Sequence, residues 1–439
     1  MFDSGALDVA EAVPQQDREV PCARLIGRAG SGKTTMLQRR VQADPHDVLL
    51  TSTTGISAVN LGCITLHSTL GYFNTDSMRD AYLTGQLARK LHEIAREYHW
   101  LAVEEYSMLD ADALDILYRA TIEANRYADV TTPLGLLLVG DLAQLPPVKA
   151  RWCFEASCWG RFAANTERLE HVWRQDTGAF LDALNHVRDG RGAEAARLLT
   201  DAGAIWHTAL DTEFDGTTIL PKNDMVNRYN DIALDRVRGP RVTVTSRRWG
   251  RQRSEWDENP RTQEWGIPPR TDFKVGAYVM VLTNDTPDFT FVNGDCGFIE
   301  AIEPSVIHVK LLRTGATADI YKLVRGVEQS ERPDGFSGPS VDEGEYVPRE
   351  HYRRRVRRYV LGQVEYFPLR LAYASTVHKS QSLTLDRVQA DFRDWFFGKP
   401  AMLYVALSRC RTLAGLRLVG MREKFVVQCA TDPRIKEWL

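Results

Sequence analysis

With 439 residues, 44% apolar and 26% charged, the chain is too long for one ordinary domain and too apolar for a disordered, collagen-like or coiled-coil polymer, so two or three packed domains are expected. No run approaches the roughly 20 apolar residues of a membrane span, and the start lacks a basic stretch followed by an apolar one, so neither a membrane partner nor secretion is expected. A net charge of −3 leaves any nucleic-acid binding to a local basic lining, and seven scattered cysteines fit a reducing compartment without a disulfide scaffold or structural zinc.

Along residues 1–165, short apolar runs at CARLIG (22–27), DVLLTS (47–52), WLAVEE (100–105) and LGLLLVGD (134–141) alternate with helical patterns, which predicts a parallel sheet covered on both faces. Leu83, Leu87, Leu91, Ile94 and Tyr98 recur at helical spacing, and Asp110 precedes a helical run through Leu114, Leu117 and Ile122. A second alternating region carries TTILP (217–221), LRLAYAS (369–375), RVQAD (387–391) and LRLVG (416–420). Between about 271 and 360 the pattern turns to period two, AYVMVL and FTFV, then Asn293-Gly294, then CGFIEAI and VIHVKLL; this predicts a small antiparallel barrel. Within it, SERPDGFSGPSVDEGE at about 330–345 reads as a mobile loop.

GRAGSGKT, Gly27 to Thr34, follows an apolar strand and precedes a helical run, which is the context a phosphate-binding loop requires. Gly27, Gly30 and Gly32 let backbone N–H groups face phosphates, the helix start supplies positive potential, Lys33 reaches the terminal phosphates, and Thr34 ligates magnesium. Glu104 and Glu105 end an apolar strand beside that loop. The expected roles are a water-mediated magnesium contact for Glu104 and activation of the attacking water for Glu105. In LLLVGDLAQLPPV, Gly140-Asp141 ends a buried strand and the stiff Pro146-Pro147 turn follows, placing the Gln144 amide near a γ-phosphate.

These segments resemble the phosphate-loop, acidic and glutamine motifs of superfamily 1B DNA helicases of the RecD, Dda and Pif type, and the resemblance runs from about residue 22 to 420. It implies an α/β fold with two RecA-like parallel-sheet motor domains, ATP and Mg2+ in the cleft between them, and a small SH3-like β-barrel inserted in the second. The corresponding bounds are 1–165 for the first domain, 166–270 and 361–439 for the second, and 271–360 for the insertion. A strand-splitting wedge is expected at about 72–98, with Tyr72 and Phe73 as candidates. Gly27, Gly30, Gly32, Lys33, Thr34, Thr35 and Gln381 are the implied nucleotide contacts. LEHVWRQ (169–175) and YVALSRC (404–410) resemble the segments that bring two arginine fingers, Arg174 and Arg409, to the γ-phosphate. Thr54 and His67 in TSTTGISAVNLGCITLHS, and Thr376, His378 and Lys379 in AYASTVHKSQSLTLD, match positions that touch the backbone of single-stranded DNA.

The chain departs from the family in three places. Glu104 stands where Asp is usual, and Ser382 where Gly follows the family's glutamine. The adenine-reading glutamine upstream of the loop is not in place, Gln15 and Gln16 lying too near Gly27. The segment Tyr352–Tyr359 mixes arginine with aromatics as single-strand grooves do. The resemblance implies a monomeric 5′→3′ helicase acting on single-stranded DNA and DNA forks, cytoplasmic if bacterial or phage, nuclear or mitochondrial if eukaryotic. Two alternatives share its ATP residues: a single-strand translocase that unwinds little, and a nucleotide-switched DNA-binding module without efficient turnover. No Asn-Lys-x-Asp segment supports a GTPase.

Overall fold

The computed structural model describes residues 19–439 except 55–56, 59–60, 73, 176–177, 251–266, 284, 286–289, 292–293, 330–339, 348–351 and 382. The first region forms six parallel strands: β1 Cys22–Gly27, β2 Val48–Ser52, β3 Ile64–Thr65, β4 Trp100–Glu104, β5 Gly135–Gly140 and β6 Thr166–Leu169. Their spatial order is β3-β2-β4-β5-β1-β6. β5 is buried along its whole length, because central parallel strands are covered on both faces, and it therefore reads as an unbroken apolar run. β6 lies at the sheet edge with Glu167 and Arg168 exposed, so it carries no such run. The expected boundary at 165 cuts this strand off the sheet it belongs to; the sheet extends to Leu169.

Five helices of this region bear on the site: α1 Lys33–Ala43, α2 Leu66–Leu70, α3 Thr75–Leu83, α4 Gln86–Ala95 and α5 Ala111–Asn125. The periodicity from Leu83 to Tyr98 predicts one helix, but the chain breaks at Gly85, whose φ of 73° is left-handed. Leu83 is left exposed at the tip of the resulting hairpin, while Leu87 and Leu91 are fully buried. Asp110 caps α5 by accepting the Ala113 N–H at 2.8 Å.

The second parallel sheet has five strands in the order Ala374–Thr376, Thr217–Leu220, Val388–Asp391, Leu416–Val419 and Trp206–His207. LRLAYAS is therefore not one strand. Leu369–Leu371 pairs antiparallel with Tyr278–Val281, and the chain then hands over to the parallel sheet. The handover is fixed by Ala372 N–H to the Tyr278 carbonyl (3.0 Å) and Thr218 N–H to the Tyr373 carbonyl (2.8 Å). One apolar cluster includes Leu101 and Leu136 from the first sheet together with Leu184, Val388, Phe392 and Leu418, so the two parallel sheets share packed core.

The insertion builds its own core around Phe273, Val279, Ile299, Ile307, Val309 and Ile320 on a five-stranded antiparallel sheet. Its expected bounds of 271–360 are too narrow. Val242–Thr245 pairs with Arg270–Phe273 on one side, and Leu369–Leu371 completes the five-stranded sheet on the other. A separate sheet sets Arg247–Gly250, Leu323–Gln329 and Ser340–Val347 against the long strand Tyr352–Tyr366. The acidic half of the expected loop at 330–345 is thus strand from Ser340 onward, and the rest lies outside the described residues. So do residues 289 and 292 of FTFV; Thr290 and Phe291, its described half, form a bend instead of a strand. The arginine-aromatic segment Tyr352–Tyr359 lies within that long strand. Among the described residues, no helix is long and apolar enough to cross a membrane.

Candidate nucleotide and nucleic-acid site

The phosphate loop connects β1 to α1. Gly30 and Gly32 have φ of 80° and 88°, angles at which an L side chain is strained. A Cβ on Gly30 would also come within 2.4 Å of the Arg174 Cβ. Gly30→Ala therefore combines about 1–2 kcal/mol of backbone strain with a clash, and nucleotide affinity measured by isothermal titration is expected to fall at least about tenfold. Lys33 is buried, and its Nζ donates to the carbonyls of Gly27 (2.7 Å) and Arg28 (3.0 Å), so the cation is held inside the loop's own curve. Burial lowers its pKa, against the pull of Asp141, Glu105 and Glu104. Thr35, on the first turn of α1, is exposed.

β4 delivers the carboxylates. Glu104 accepts from the Thr34 hydroxyl at 3.0 Å and from the Ser57 hydroxyl. Burial, with Glu105 beside it, pushes the Glu104 carboxyl up to about 7. A carboxyl raised on folding binds more protons in the native than in the unfolded chain, so stability falls as pH rises from about 4.5 to about 7. Glu104→Gln is expected to remove that slope, read as thermal midpoints at pH 5 and 8 in metal-free buffer.

Glu105 is buried and sits at φ 56°, unusual for a residue other than glycine. The surrounding backbone over-determines that angle: the Thr53 hydroxyl and the Met108 N–H both donate to the Glu105 carbonyl, and the Thr53 N–H to that of Glu104. Such fixed strain holds a carboxylate at a set position on the strand's end.

Four further side chains close the site. Arg174 packs against Gly30 and donates to the Ser408 carbonyl (3.3 Å). Arg409, 1% exposed, donates to Val405, Leu383 and Ser408; burial and the neighbouring Arg174 push its pKa down to about 9, which leaves it charged at neutral pH. Gln144 and Gln381 are buried, and among the described residues the Gln144 Oε1 and both amide atoms of Gln381 find no hydrogen-bond partner. Buried polar atoms are normally satisfied, so unpaired amides beside a cation-rich loop are the signature of a ligand-facing surface. On the loop's other flank lies a cavity of about 420 Å3 lined by both charges, Arg28, Arg168 and Arg191 with Glu170 and Asp189.

Lys33, Arg174 and Arg409 together outnumber Glu104 and Glu105, a buried imbalance that a polyanion offsets. These donors fit a magnesium nucleotide. Among the described residues no cluster of three or more His, Cys, Asp or Glu could hold a metal alone, and magnesium typically takes only one or two protein ligands, the rest being phosphate and water.

Sequence reading missed the groups that tie the domains together. Asp141, at the end of β5, is buried and paired with Arg188 of the helix Ala179–Arg188 (2.8 Å). Tyr404 donates its hydroxyl proton to Asp141 (3.2 Å) and accepts the Ala29 N–H of the phosphate loop (3.0 Å). Gln175 donates to the carbonyls of Ser408 and Cys410. Tyr404 and Gln175 lie inside segments the sequence singles out; nothing distinguishes Arg188 from the chain's other arginines.

The nucleic-acid candidates follow the carboxyl ends of parallel strands, where open α/β sheets bind ligands. The Thr54 hydroxyl accepts the Ser57 N–H. His67, on α2, lies 4.7 Å from the Tyr72 ring, and burial lowers its pKa. Tyr72 is 3% exposed, so its expected role as a strand-splitting wedge is corrected: it is core packing under His67. Phe73, Ser382, Gln15 and Gln16 lie outside the described residues. Thr376 is also buried, its hydroxyl capping the Lys379 N–H (3.2 Å), whereas Lys379 is exposed. Burial lowers the pKa of half-buried His378.

A parallel sheet whose phosphate loop packs against Arg174, which in turn bonds the Ser408 carbonyl beside a second parallel sheet, defines the class of two-domain phosphate-loop ATPases. Residues 7–209 match the AAA domain family. The ATP-dependent DNA helicase Pif1 of Bdellovibrio bacteriovorus is 30% identical over 420 residues, covering 94% of this chain and 86% of the relative. The chain belongs to the Pif1 family, within superfamily 1B. It spans 45% to 66% of the length of other curated Pif1-type helicases it matches. Two solved structures share the fold, each at 24% identity. Pif1 helicase from Candida albicans has a TM-score of 0.69 over 95% of this chain and 94% of that one. Pif1 from Bacteroides in complex with ADP-AlF3 and single-stranded DNA has a TM-score of 0.62 over 96% and 93%.

Proposed function

We propose that the chain is an ATP-dependent DNA helicase that moves 5′→3′ along single-stranded DNA as a monomer and opens duplex at forks. The observation that supports this reading is the packing of Arg174 against Gly30 of the loop that holds Lys33, while its guanidinium donates to the Ser408 carbonyl next to Arg409. In this reading Lys33 neutralises the terminal phosphates, and Thr34, with Glu104 through water, would hold magnesium, which when bound would spread the developing charge of phosphoryl transfer. Glu105 orients and deprotonates the attacking water, Gln144 and Gln381 fix the γ-phosphate and its water, and the two arginines stabilise the transition state. Gly27, Gly30, Gly32 and Thr35 shape the cradle. Strand contacts at Thr54 and His67 on one domain and at Thr376, His378 and Lys379 on the other let opening and closing of the cleft advance the DNA.

The burial of Tyr72 favours one second reading, a translocase that unwinds little, because it removes a wedge candidate. Displacement assays on 5′-tailed and 3′-tailed duplexes decide between them. Unwinding of 5′-tailed substrate alone is the expected result, and DNA-stimulated phosphate release without displacement supports the translocase.

A further inference from the structure

The carboxyl rim of the second parallel sheet carries aromatic and basic side chains that none of the motifs above uses. After the strand Val388–Asp391, a short turn Trp395–Gly398 presents Trp395, 67% exposed, next to the fully buried Phe397. An indole so exposed is uncommon, since large aromatics are mostly buried. The turn is also rigid: Asp394 caps the Phe396 N–H at 2.8 Å, and the Gln428 amide donates to the Asp394 carbonyl at 2.8 Å. The turn is thus held in place while most of the indole surface stays exposed.

Lysines accompany the rings. The Lys424 ammonium lies 4.6 Å from the Trp395 ring centroid, and that of Lys399 lies 4.2 Å from Phe396. Lys222, on the neighbouring strand's carboxyl end, pairs with Asp394 at 3.1 Å, which neutralises the one acid within the turn. Phe396 in turn lies 6.4 Å, centroid to centroid, from His378. The patch is therefore continuous with a segment already read as gripping the DNA backbone. Stacking rings flanked by ammonium groups along a path of phosphate contacts are the chemistry of sequence-tolerant single-strand binding.

We propose that Trp395 is a base-stacking platform for single-stranded DNA, with Lys399 and Lys424 pairing with the flanking phosphates, so that the strand path runs beyond His378 to this turn. The inference rests on the DNA-motor reading above and adds a site to it.

The test is fluorescence anisotropy with a labelled oligothymidine, intact or carrying one abasic position at each site in turn. Trp395→Ala is expected to weaken binding about tenfold, and Trp395→Phe to restore most of it. One abasic position should weaken wild type yet cost Trp395→Ala nothing, a signature that a merely structural role would not produce. Lys424→Ala should shallow the dependence of log Kd on log salt by about 0.7, because one fewer phosphate of a single strand is neutralised. If Trp395→Ala binds within twofold of wild type, or keeps the full abasic penalty, the platform is wrong while the motor reading stands. Wild type that does not bind the oligonucleotide at all overturns both.

Discussion

Lys33→Ala should abolish strand displacement and lower single-strand-stimulated phosphate release by about 10²–10³-fold, the range lost when one preorganised group facing developing charge is removed. The structure adds a second consequence. Lys33 spans the carbonyls of Gly27 and Arg28, so its loss also frees the loop's curve and should weaken nucleotide binding. Glu105→Gln should part these effects. Its amide matches the carboxylate in shape and tolerates the same φ of 56° no worse, so binding stays near wild type while turnover falls by about 10²–10⁴-fold with the general base gone. Equilibrium nucleotide titration beside steady-state phosphate release checks both variants. A Lys33→Ala protein that still unwinds DNA at the wild-type rate would remove the motor reading.

That prediction draws on the part of the molecule most legible in the sequence. The phosphate loop is local: its glycines, lysine and threonine must occupy fixed spacings after a buried strand, and both neighbours show in the pattern. Glu104 and Glu105 were readable for the same reason, since an apolar strand ends at them. Legibility fades where the deciding contact is distant. Arg188 meets Asp141 across 47 positions, and no local rule marks either as half of a pair. Tyr72 failed as a wedge because an aromatic in a short segment says nothing of which way it faces; against His67 it faces inward. β6 escaped because an edge strand with two charged residues lacks the apolar run that betrays a central one. LRLAYAS misled in the opposite sense: one apolar run serves two sheets, and the handover at Ala372 and Tyr373 rests on hydrogen bonds to strands far away in sequence.

Arg188→Ala is the change expected to cost most stability, and it should reverse the sign of Asp141's own contribution to the acid response. Asp141 has no exposed side-chain surface, Arg188 retains 10%, and the pair is bidentate, Nη2 to Oδ1 at 2.8 Å and Nε to Oδ2 at 3.3 Å. Removing one partner of a buried pair typically costs about 3–5 kcal/mol, because the remaining charge stays desolvated; chemical denaturation reads this directly. In the wild type, burial alone would raise the Asp141 carboxyl, but Arg188 outweighs it and holds the pKa below its ordinary value. A depressed carboxyl contributes stability at neutral pH that is lost only as acid protonates it. Without Arg188 the burial effect prevails, the carboxyl rises, and the folded variant takes up a proton more readily than the unfolded chain. Arg188→Ala should then become more stable from about pH 7 to about pH 5, over which the Asp141–Arg188 pair keeps its full contribution in the wild type. Asp141→Asn in the Arg188→Ala background removes the stranded charge and should recover much of the loss, a coupling that a double-mutant cycle measures. The same pair reaches function through Tyr404, whose hydroxyl joins Asp141 to the Ala29 N–H while its helix leads into Arg409. Loss of Arg188 therefore loosens the phosphate loop and an arginine finger together, and ATP turnover should fall even at temperatures where the variant remains folded.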